Sequence, residues 1–174
     1  MIAGRLTLPI ELSDGRAQDF AALVAAYQQM VLRTAYRLLG RLEDAQDAAQ
    51  EVFLRLFRNQ ANVHGDPKAW LYRVTVNVCN DHYRRRKCAV QLCLEKADPA
   101  PDPERVLTLK ERKQLIVEGL ETLAERERAS VVLRDIEGLS TAEVASILDV
   151  EEVTVRSQVH SARVKLAKYV RSRR

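Results

Sequence analysis

The side chains best suited to recognising another molecule lie near the end of the chain, on a predicted basic helix. From residue 153 onward the sequence contains Lys and Arg but no Asp or Glu. Guanidinium, hydroxyl and imidazole groups are donors with which proteins contact base edges and phosphates. Four such side chains fall on one side of this helix: Arg156, Ser157, His160 and Arg163. The pattern predicts a face that binds a polyanion.

The residues around this face supply the elements that would position it. Ser140 followed by Glu143 is a capping-box pattern that starts a short helix, and Asp149 occupies the tight turn after that helix, where Asp tolerates the left-handed conformation. The apolar residues of the basic helix recur at helical spacing opposite the donors: Val155, Val159, Ala162 and Leu166. This is the pattern of a helix-turn-helix, whose second helix enters the major groove. An ordinary helical hairpin with a solvated basic face also fits, because the motif is degenerate.

A second candidate surface follows the sequence GDPKAW, where Asp66 predicts an N-cap and Pro67 the first residue of a helix. Trp70 lies at the start of a narrow polar band along this helix, and the run RRRK at 84–87 extends the other end. The members of the band after Trp70 are Arg73, Asn77, Asn80 and Arg84. Cations, amides and an aromatic ring together favour single-stranded nucleic acid. For Trp70 alone a place in the core is favoured, whereas the band as a whole favours DNA.

A third candidate surface is acidic and lies on a helix predicted at about residues 42–58. Its members cluster on the side opposite the buried alanines and aromatics: Asp47, Gln50, Glu51 and Leu54. A merely solvated face is the commoner meaning of such a pattern. No His accompanies the carboxylates at metal-ligand spacing, so a metal site is not predicted. A leucine among short polar groups suits the docking of a protein partner.

The sequence does not favour an enzyme. His64, His82 and His160 lie far apart without triad or metal spacing, and no Gly-rich phosphate loop is present. Three cysteines without a CxxC pair indicate reduced thiols in a cytoplasm rather than disulfides or zinc. No apolar run approaches the length of about 18 residues that a membrane span needs. We therefore expect a cytoplasmic protein with no cofactor and no small-molecule substrate.

The chain is predicted to be all-α and to contain two small helical domains joined by a Pro-rich linker. Pro99, Pro101 and Pro103 disfavour a helix and favour extended linker structure. The predicted organisation is a leader at 1–16, a first unit at 17–86, a linker at 87–103 and a second unit at 104–174. The first unit is predicted to bury apolar residues at helical spacing along its first helix, which Gly40 ends.

Two long segments resemble the conserved regions of bacterial sigma factors. DFAALVAAYQQMVLRTAYRLLGRLEDAQDAAQEVFLRLF followed by AWLYRVTVNVCNDHYRRR is similar to their second region. LAERERASVVLRDIEGLSTAEVASILDVEEVTVRSQVHSARVKL is similar to their fourth region. The two regions occur in the family's order across a short proline-rich tether and cover most of the chain. The sequence therefore resembles a sigma factor of the extracytoplasmic-function (ECF) group.

The resemblance implies a transcription initiation factor that binds core RNA polymerase and promoter DNA, and that promotes melting of the start region. Asp47, Gln50 and Glu51 match residues that grip the clamp helices of the polymerase. Asn77 matches a position that lines the pocket for a flipped base of the −10 element. The positions that read the −35 element from the major groove are matched by Arg156, Ser157, His160 and Ser161. A further implied partner is an anti-sigma protein, often anchored in the inner membrane.

The sequence departs from the family pattern at several positions. Ala124 stands where a proline is usual, and Gln158 and Ser161 stand where arginines are usual. Fewer cations then face the −35 DNA, which predicts a weaker intrinsic grip on the promoter. The competing hypothesis is a helix-turn-helix repressor or activator that does not bind polymerase. The first unit does not favour that alternative, since it has no α/β phosphoacceptor pattern and no ligand-pocket signature.

Overall fold

The chain is mostly helical within residues 14–59, 66–91 and 109–173, which are the residues that the computed structural model describes, and no strand occurs in these ranges. The first unit contains α1 (Asp14–Leu39), α2 (Leu42–Asn59) and α3 (Pro67–Gln91). The second unit contains α4 (Leu109–Glu121), α5 (Glu125–Val131), a π-helical turn (Val132–Ile136), α6 (Thr141–Leu148) and α7 (Glu152–Ser172). The all-α class predicted from the sequence is confirmed.

Helices α1, α2 and α3 pack around an apolar core. The buried residues of α2 follow the predicted stripe, with Ala49 only partly buried: Ala45, Ala48, Val52, Phe53 and Leu56. The Phe20 ring of α1 packs edge-on against Phe57 of α2, with 5.3 Å between ring centroids. Because apolar area removed from water is the main favourable term in folding, this stripe fixes which side of α2 faces solvent.

Two local signals set the boundaries of these helices. Gly40, at φ +75°, makes the turn between α1 and α2, a conformation that glycine adopts without steric penalty. At the start of α3, the Lys68 N–H donates to Asp66 Oδ1 at 2.9 Å, and Pro67 is the first helical residue. Both predicted boundaries are confirmed.

Helices α6 and α7 form the predicted helix-turn-helix. The Ser140 hydroxyl accepts from the Glu143 N–H, and the Glu143 carboxylate accepts from the Ser140 N–H at 2.7 Å. Asp149 ends α6 at φ 54° and ψ 54°, in the left-handed region. Three of the four predicted apolar residues of α7 are buried, and Leu166 is partly buried against the same core: Val155, Val159 and Ala162.

The two units also pack against each other, which the sequence did not predict. Helix α3 contacts α6, and α1 contacts both α4 and the π-helical turn. We call this packing of the first unit on the second the closed arrangement. It brings polar side chains of α3 against the helix-turn-helix.

Helix α3 continues to Gln91, into the segment that the sequence analysis assigned to the linker. The predicted leader, apart from its last residues in α1, and the remainder of the predicted linker lie outside the described residues. Within the described ranges, none of the helices has the length and apolar character needed to cross a membrane.

The capping box of α6 yields a stability prediction. Ser140→Ala removes the side chain that satisfies the Glu143 N–H, so we expect the free energy of unfolding to fall by about 1 kcal/mol. Chemical denaturation followed by circular dichroism measures the change. Ser157→Ala, on the exposed face of α7, should change the free energy by less than about 0.5 kcal/mol. Equal effects of the two substitutions would contradict a structural role for the cap.

Candidate functional site

The acidic face of α2 lies opposite its buried stripe, as the sequence predicted. Asp47 and Gln50 are exposed, whereas Glu51 and Leu54 are partly buried. The Glu51 carboxylate accepts from Arg55 Nη2 at 2.6 Å and lies 3.2 Å from His82 Nε2 of α3. Two cationic or polar neighbours therefore hold Glu51 in one orientation at the edge of this face.

The environment of Glu51 also favours its ionised form. Burial alone would raise the pKa of Glu51, but hydrogen bonds from His82 and Arg55 and their positive charge outweigh burial and lower the pKa below its usual value. Neither partner of Glu51 was predicted from the sequence. Arg55 could have been found from its i, i+4 spacing to Glu51, whereas His82 lies on another helix and carried no local signal.

The polar side chains along α3 differ in their exposure and in their contacts. Asn77 is exposed and Asn80 is partly buried. Trp70 is partly buried against the core, in agreement with the interpretation favoured for that residue alone. Arg73 and Arg84, toward the two ends, are exposed but contact the second unit. We call Arg73, Asn77, Asn80 and Arg84 together the α3 band.

Both arginines of the α3 band donate to acceptors of the second unit. Arg73 Nε and Nη2 donate to the backbone oxygens of Ile147 at 3.1 Å and Ser146 at 2.6 Å. Arg84 makes a two-pronged contact with Glu125, with N–O distances from 2.7 to 3.1 Å. The Glu125 carboxylate raises the pKa of Arg84 through this hydrogen bond and its charge. The guanidinium groups predicted to meet DNA thus already have partners in the closed arrangement.

The outer face of α7 presents the donors that the sequence predicted. Arg156, Ser157, His160 and Arg163 are exposed. Arg156 donates to Glu152 one turn earlier at 3.1 Å, and its side chain remains 66% exposed. This exposure leaves α7 able to meet a DNA groove.

Arg163 has a partner outside α7. Its Nε and Nη2 each lie 2.7 Å from an oxygen of Asp135. The hydrogen bond to Asp135 and the charge of that carboxylate raise the pKa of Arg163. A phosphate that binds Arg163 has to compete with this carboxylate.

Ser161 lies apart from the exposed face of α7. Its hydroxyl donates to Glu127 of α5 at 2.6 Å, and Lys165 Nζ lies 2.8 Å from each oxygen of the same carboxylate. Hydrogen bonds from Lys165 and then Ser161 lower the pKa of Glu127, although burial opposes them. Gln158, the other position where the family usually has arginine, accepts from the Ser130 hydroxyl at 2.6 Å. These side chains join α7 to α5.

A pocket of about 300 Å³ lies between the π-helical turn, α6 and α7. Arg134 and Thr141 line it together with three of the predicted −35 residues: Arg156, His160 and Arg163. Arg134 was not predicted from the sequence, because it lies outside the basic helix and its contribution depends on how the π-helical turn packs. The pocket extends the basic surface of α7 toward the start of α6.

Metal and thiol chemistry have no support among the described residues. No group of His, Cys, Asp or Glu there could hold a metal ion. Cys79 is buried, and burial raises the pKa of its thiol to about 12, so the thiolate that reacts with oxidants and metals is scarce at neutral pH. The side chains of Cys88 and Cys93 lie outside the described residues.

Comparison with known proteins accounts for both units. Residues 23–88 match the family model of sigma-70 region 2, and residues 113–166 match that of sigma-70 region 4. The chain is 39% identical over 154 residues to the ECF RNA polymerase sigma factor SigE of Mycolicibacterium smegmatis, covering 85% of this chain and 60% of the relative. It is 30% identical over 173 residues to the RNA polymerase sigma-H factor of Pseudomonas aeruginosa, covering 91% of this chain and 89% of the relative.

Solved structures agree on the fold. The sigma factor RpoE, crystallised with the anti-sigma factor NepR from Bartonella quintana, has a TM-score of 0.68 and 23% identity, over 90% of this chain and 99% of that one. CnrH in complex with the cytosolic domain of CnrY has a TM-score of 0.69 and 23% identity, over 91% of this chain and 92% of that one.

The two matched regions, in this order, are those of the sigma factors of bacterial RNA polymerase. This chain belongs to the sigma-70 family, in its extracytoplasmic-function group. It is a transcription initiation factor that directs RNA polymerase to promoters, and the helix-turn-helix repressor considered as an alternative is not favoured.

The contact between Glu51 and His82 yields a titration prediction. Because the folded pKa of Glu51 is lowered from 4.5, its contribution to stability is present above the unfolded pKa and is lost as the pH falls through the folded pKa. His82→Ala removes one of the groups that stabilise the carboxylate, so we expect the titration midpoint of Glu51 to rise. NMR of the side-chain carboxyl carbon measures it. His160→Ala, on exposed α7, should leave the midpoint unchanged, and an unchanged midpoint in His82→Ala would contradict the contact.

Proposed function

We propose that three separate surfaces of this chain divide the work of promoter recognition. Asp47, Gln50, Glu51 and Leu54 of α2 bind core RNA polymerase, the α3 band with Trp70 binds the −10 element, and the outer face of α7 binds the −35 element. The observation that carries the proposal is that Asn77 and Arg156 are both exposed although their helices are anchored in apolar cores. Side chains that read bases have to be reachable from solvent and held on rigid elements.

The acidic face of α2 suits a polymerase contact because its shape is set before the partner arrives. The bonds from Arg55 and His82 to Glu51 restrict that side chain, which lowers the entropy that docking removes. Exposed Asp47 and Gln50 add a charge and an amide beside the apolar Leu54. On such a surface the charged groups make partner binding specific, and the leucine adds apolar area that is buried on binding.

The α3 band suits single-stranded DNA at the −10 element. Asn77 can donate and accept hydrogen bonds at a base edge, and the arginines on either side of it can contact phosphates. Capture of an extruded base offsets the unstacking energy of an opened duplex. The chain therefore needs no chemical step of its own to promote melting, and we assign it no enzymatic activity.

The outer face of α7 suits the major groove of the −35 element. Arg156, Ser157 and His160 reach outward and serve as the base-reading set, with Arg163 at a phosphate. Ser161 matches a −35 position of the family, but its hydroxyl donates to Glu127. We therefore propose that Ser161 helps to orient α7 and that only the exposed residues contact DNA. Arg134 adds a cation at the edge of the same surface.

Regulation by an anti-sigma protein fits the family. Two similar structures were solved as complexes of a sigma factor with NepR or with the cytosolic domain of CnrY. We propose that this chain has an anti-sigma partner of its own and that it acts in the cytoplasm, where polymerase and the chromosome are found.

In vitro transcription tests the proposed function. Purified core polymerase with this chain should initiate at specific promoters that core alone does not use, and genome-wide mapping of the transcripts would identify them. The double substitution Asp47→Lys and Glu51→Lys reverses both charges. It should reduce transcription at least about 100-fold, since like charges replace complementary ones at the polymerase. Asp19→Lys, an exposed charge near the start of α1, is the control. Full activity of the double variant would rule out the acidic face as the docking surface.

The ion pairs of α7 yield a salt-dependence prediction for −35 duplex binding. The slope of log affinity against log salt is about −0.9 per phosphate contacted, so this chain should give a slope shallower than about −5. Asp135→Asn releases Arg163 for a phosphate and should steepen the slope by up to about 0.9. Fluorescence anisotropy with a −35 duplex measures both, with Asp19→Asn as the matched loss of one negative charge. A steep wild-type slope, or no difference between the two variants, would contradict the assignment.

A further inference from the structure

We propose that Val153, at the start of α7, recognises the −35 element by packing against the C5-methyl group of a thymine. The inference rests on the function proposed above for the outer face of α7. It adds to that face a specificity-determining residue that makes no side-chain hydrogen bond. The exposure of Val153, its position on α7 and the charges beside it carry the inference.

Val153 is a large apolar side chain that the fold leaves in solvent. Its exposed fraction is 60%, and among the described large apolar residues only Leu42, Ile116 and Val164 are also exposed. Val155, two residues later, is fully buried. A β-branched side chain lowers helix propensity, so neither core packing nor helix formation accounts for Val153. Single exposed valines are common on protein surfaces, and the position of this one therefore decides its meaning.

Val153 lies on the side of α7 that faces away from the core. At about 100° per residue, Val153, Ser157 and His160 fall within about 60° of one another. The buried residues Val155 and Ala162 lie on the other side of the helix. Val153 thus shares a face with two side chains assigned above to base reading, about one turn closer to the N-terminal end. In helix-turn-helix proteins that end of the recognition helix contacts base edges.

The groups beside Val153 disfavour a phosphate and favour a base edge. Glu151 and Glu152 directly precede Val153, and both are exposed. Because like charges repel, a phosphate is not stabilised next to these carboxylates. Glu152 instead accepts a hydrogen bond from Arg156 at 3.1 Å. The start of α7 therefore meets the base edges in the groove more favourably than it meets a phosphate backbone.

The major groove offers a valine one apolar group, the C5-methyl group of thymine. The other base edges present hydrogen-bond donors and acceptors, which a valine side chain cannot satisfy. A valine against such an edge would remove water from polar groups without replacing their hydrogen bonds. Against a methyl group, the same valine removes apolar area of both partners from water. Val153 therefore favours a thymine at one position of the −35 element.

Val164 provides a comparison within the same helix. It is 56% exposed on the same side of α7, but it lies eleven residues after Val153, about 16 Å further along the helix axis. This position is beyond the N-terminal part of the recognition helix that contacts base edges. Its neighbours Arg163 and Lys165 are cations, which suit phosphates. We expect no contact between Val164 and a base.

The test uses holoenzyme assembled from core polymerase and the full chain, on a promoter identified by transcript mapping. Each thymine of the −35 element, on either strand, is replaced in turn by deoxyuridine, which lacks only the C5-methyl group. We expect one replacement to weaken promoter binding by the wild-type holoenzyme about fourfold, because a buried methyl group is lost. Competition between labelled and unlabelled promoter fragments measures the affinity.

The substitution Val153→Ala provides the second part of the test. Alanine favours a helix more than valine does, and the exposed position leaves the core intact, so the variant should fold. It should bind the natural promoter about fourfold more weakly and should no longer distinguish thymine from deoxyuridine at the sensitive position. Val164→Ala is the matched control, and it should keep both the affinity and the distinction.

The inference is overturned if no replacement by deoxyuridine weakens binding, if Val153→Ala still distinguishes the two bases, or if the −35 element contains no thymine on either strand. Arg156→Ala separates this failure from a failure of the proposed function. If it weakens promoter binding about tenfold or more while Val153 and the methyl groups have no effect, the −35 surface stands without Val153. If Arg156→Ala has no effect, or no promoter is used, the proposed surface and the inference both fail.

Discussion

An N–H donor of an arginine side chain that is bound to an acceptor within the protein is not available to a nucleic-acid phosphate. In the closed arrangement the acceptors belong to the chain itself: Arg73 holds carbonyl oxygens of α6, Arg84 holds Glu125, and Arg163 holds Asp135. Exposed pairs of this kind contribute little net stability because both groups lose hydration and side-chain freedom. A nucleic-acid phosphate offers the same geometry together with the release of counterions. For the DNA-binding surfaces proposed above, we therefore expect the binding of a phosphate to be an exchange of partners.

The exchange is specific because apolar packing decides which donors can take part. Val155 and Ala162 are fully buried beneath α7, so a rotation of the helix that exposed other side chains would remove apolar contacts from the core. Ser161 and Lys165 then meet Glu127 of α5 and help to fix the same orientation. In the first unit, the buried stripe of α2 similarly directs Asp47 and Gln50 outward. In both α2 and α7, apolar packing on the buried side determines which polar side chains lie on the exposed side.

Much of each unit could be predicted from local sequence. The capping box at Ser140, the left-handed turn at Asp149 and the start of α3 at Pro67 are short-range signals, and helical periodicity predicted the buried side of α7. The exposed side chains of α2 and α7 follow from the same periodicity. The resemblance to sigma factors added the order of the two regions.

The contacts between the units could not be predicted in the same way. Thr34 and Glu137 are separated by about a hundred positions, and neither residue lies in a sequence motif that predicts a contact with the other. Arg128 is a charged residue in a charge-rich segment, which on composition alone predicts exposure, yet it is buried against Tyr83. The contacts of such residues depend on how the two folded units pack against each other. The periodic pattern within one helix carries no information about that packing.

The π-helical turn connects the two sets of contacts. The Glu137 N–H donates to the Val132 backbone oxygen at 2.9 Å, five residues back, so this turn is wider than an ordinary helical turn. Asp135 at one side of it holds Arg163 of α7, while Glu137, two residues later, accepts from Arg37 and Tyr72 of the first unit. Residues two apart on a helix point to different sides, which lets one short segment hold both α7 and the first unit. The π-helical turn thus links α7 to the first unit through two carboxylates, those of Asp135 and Glu137, that lie two residues apart.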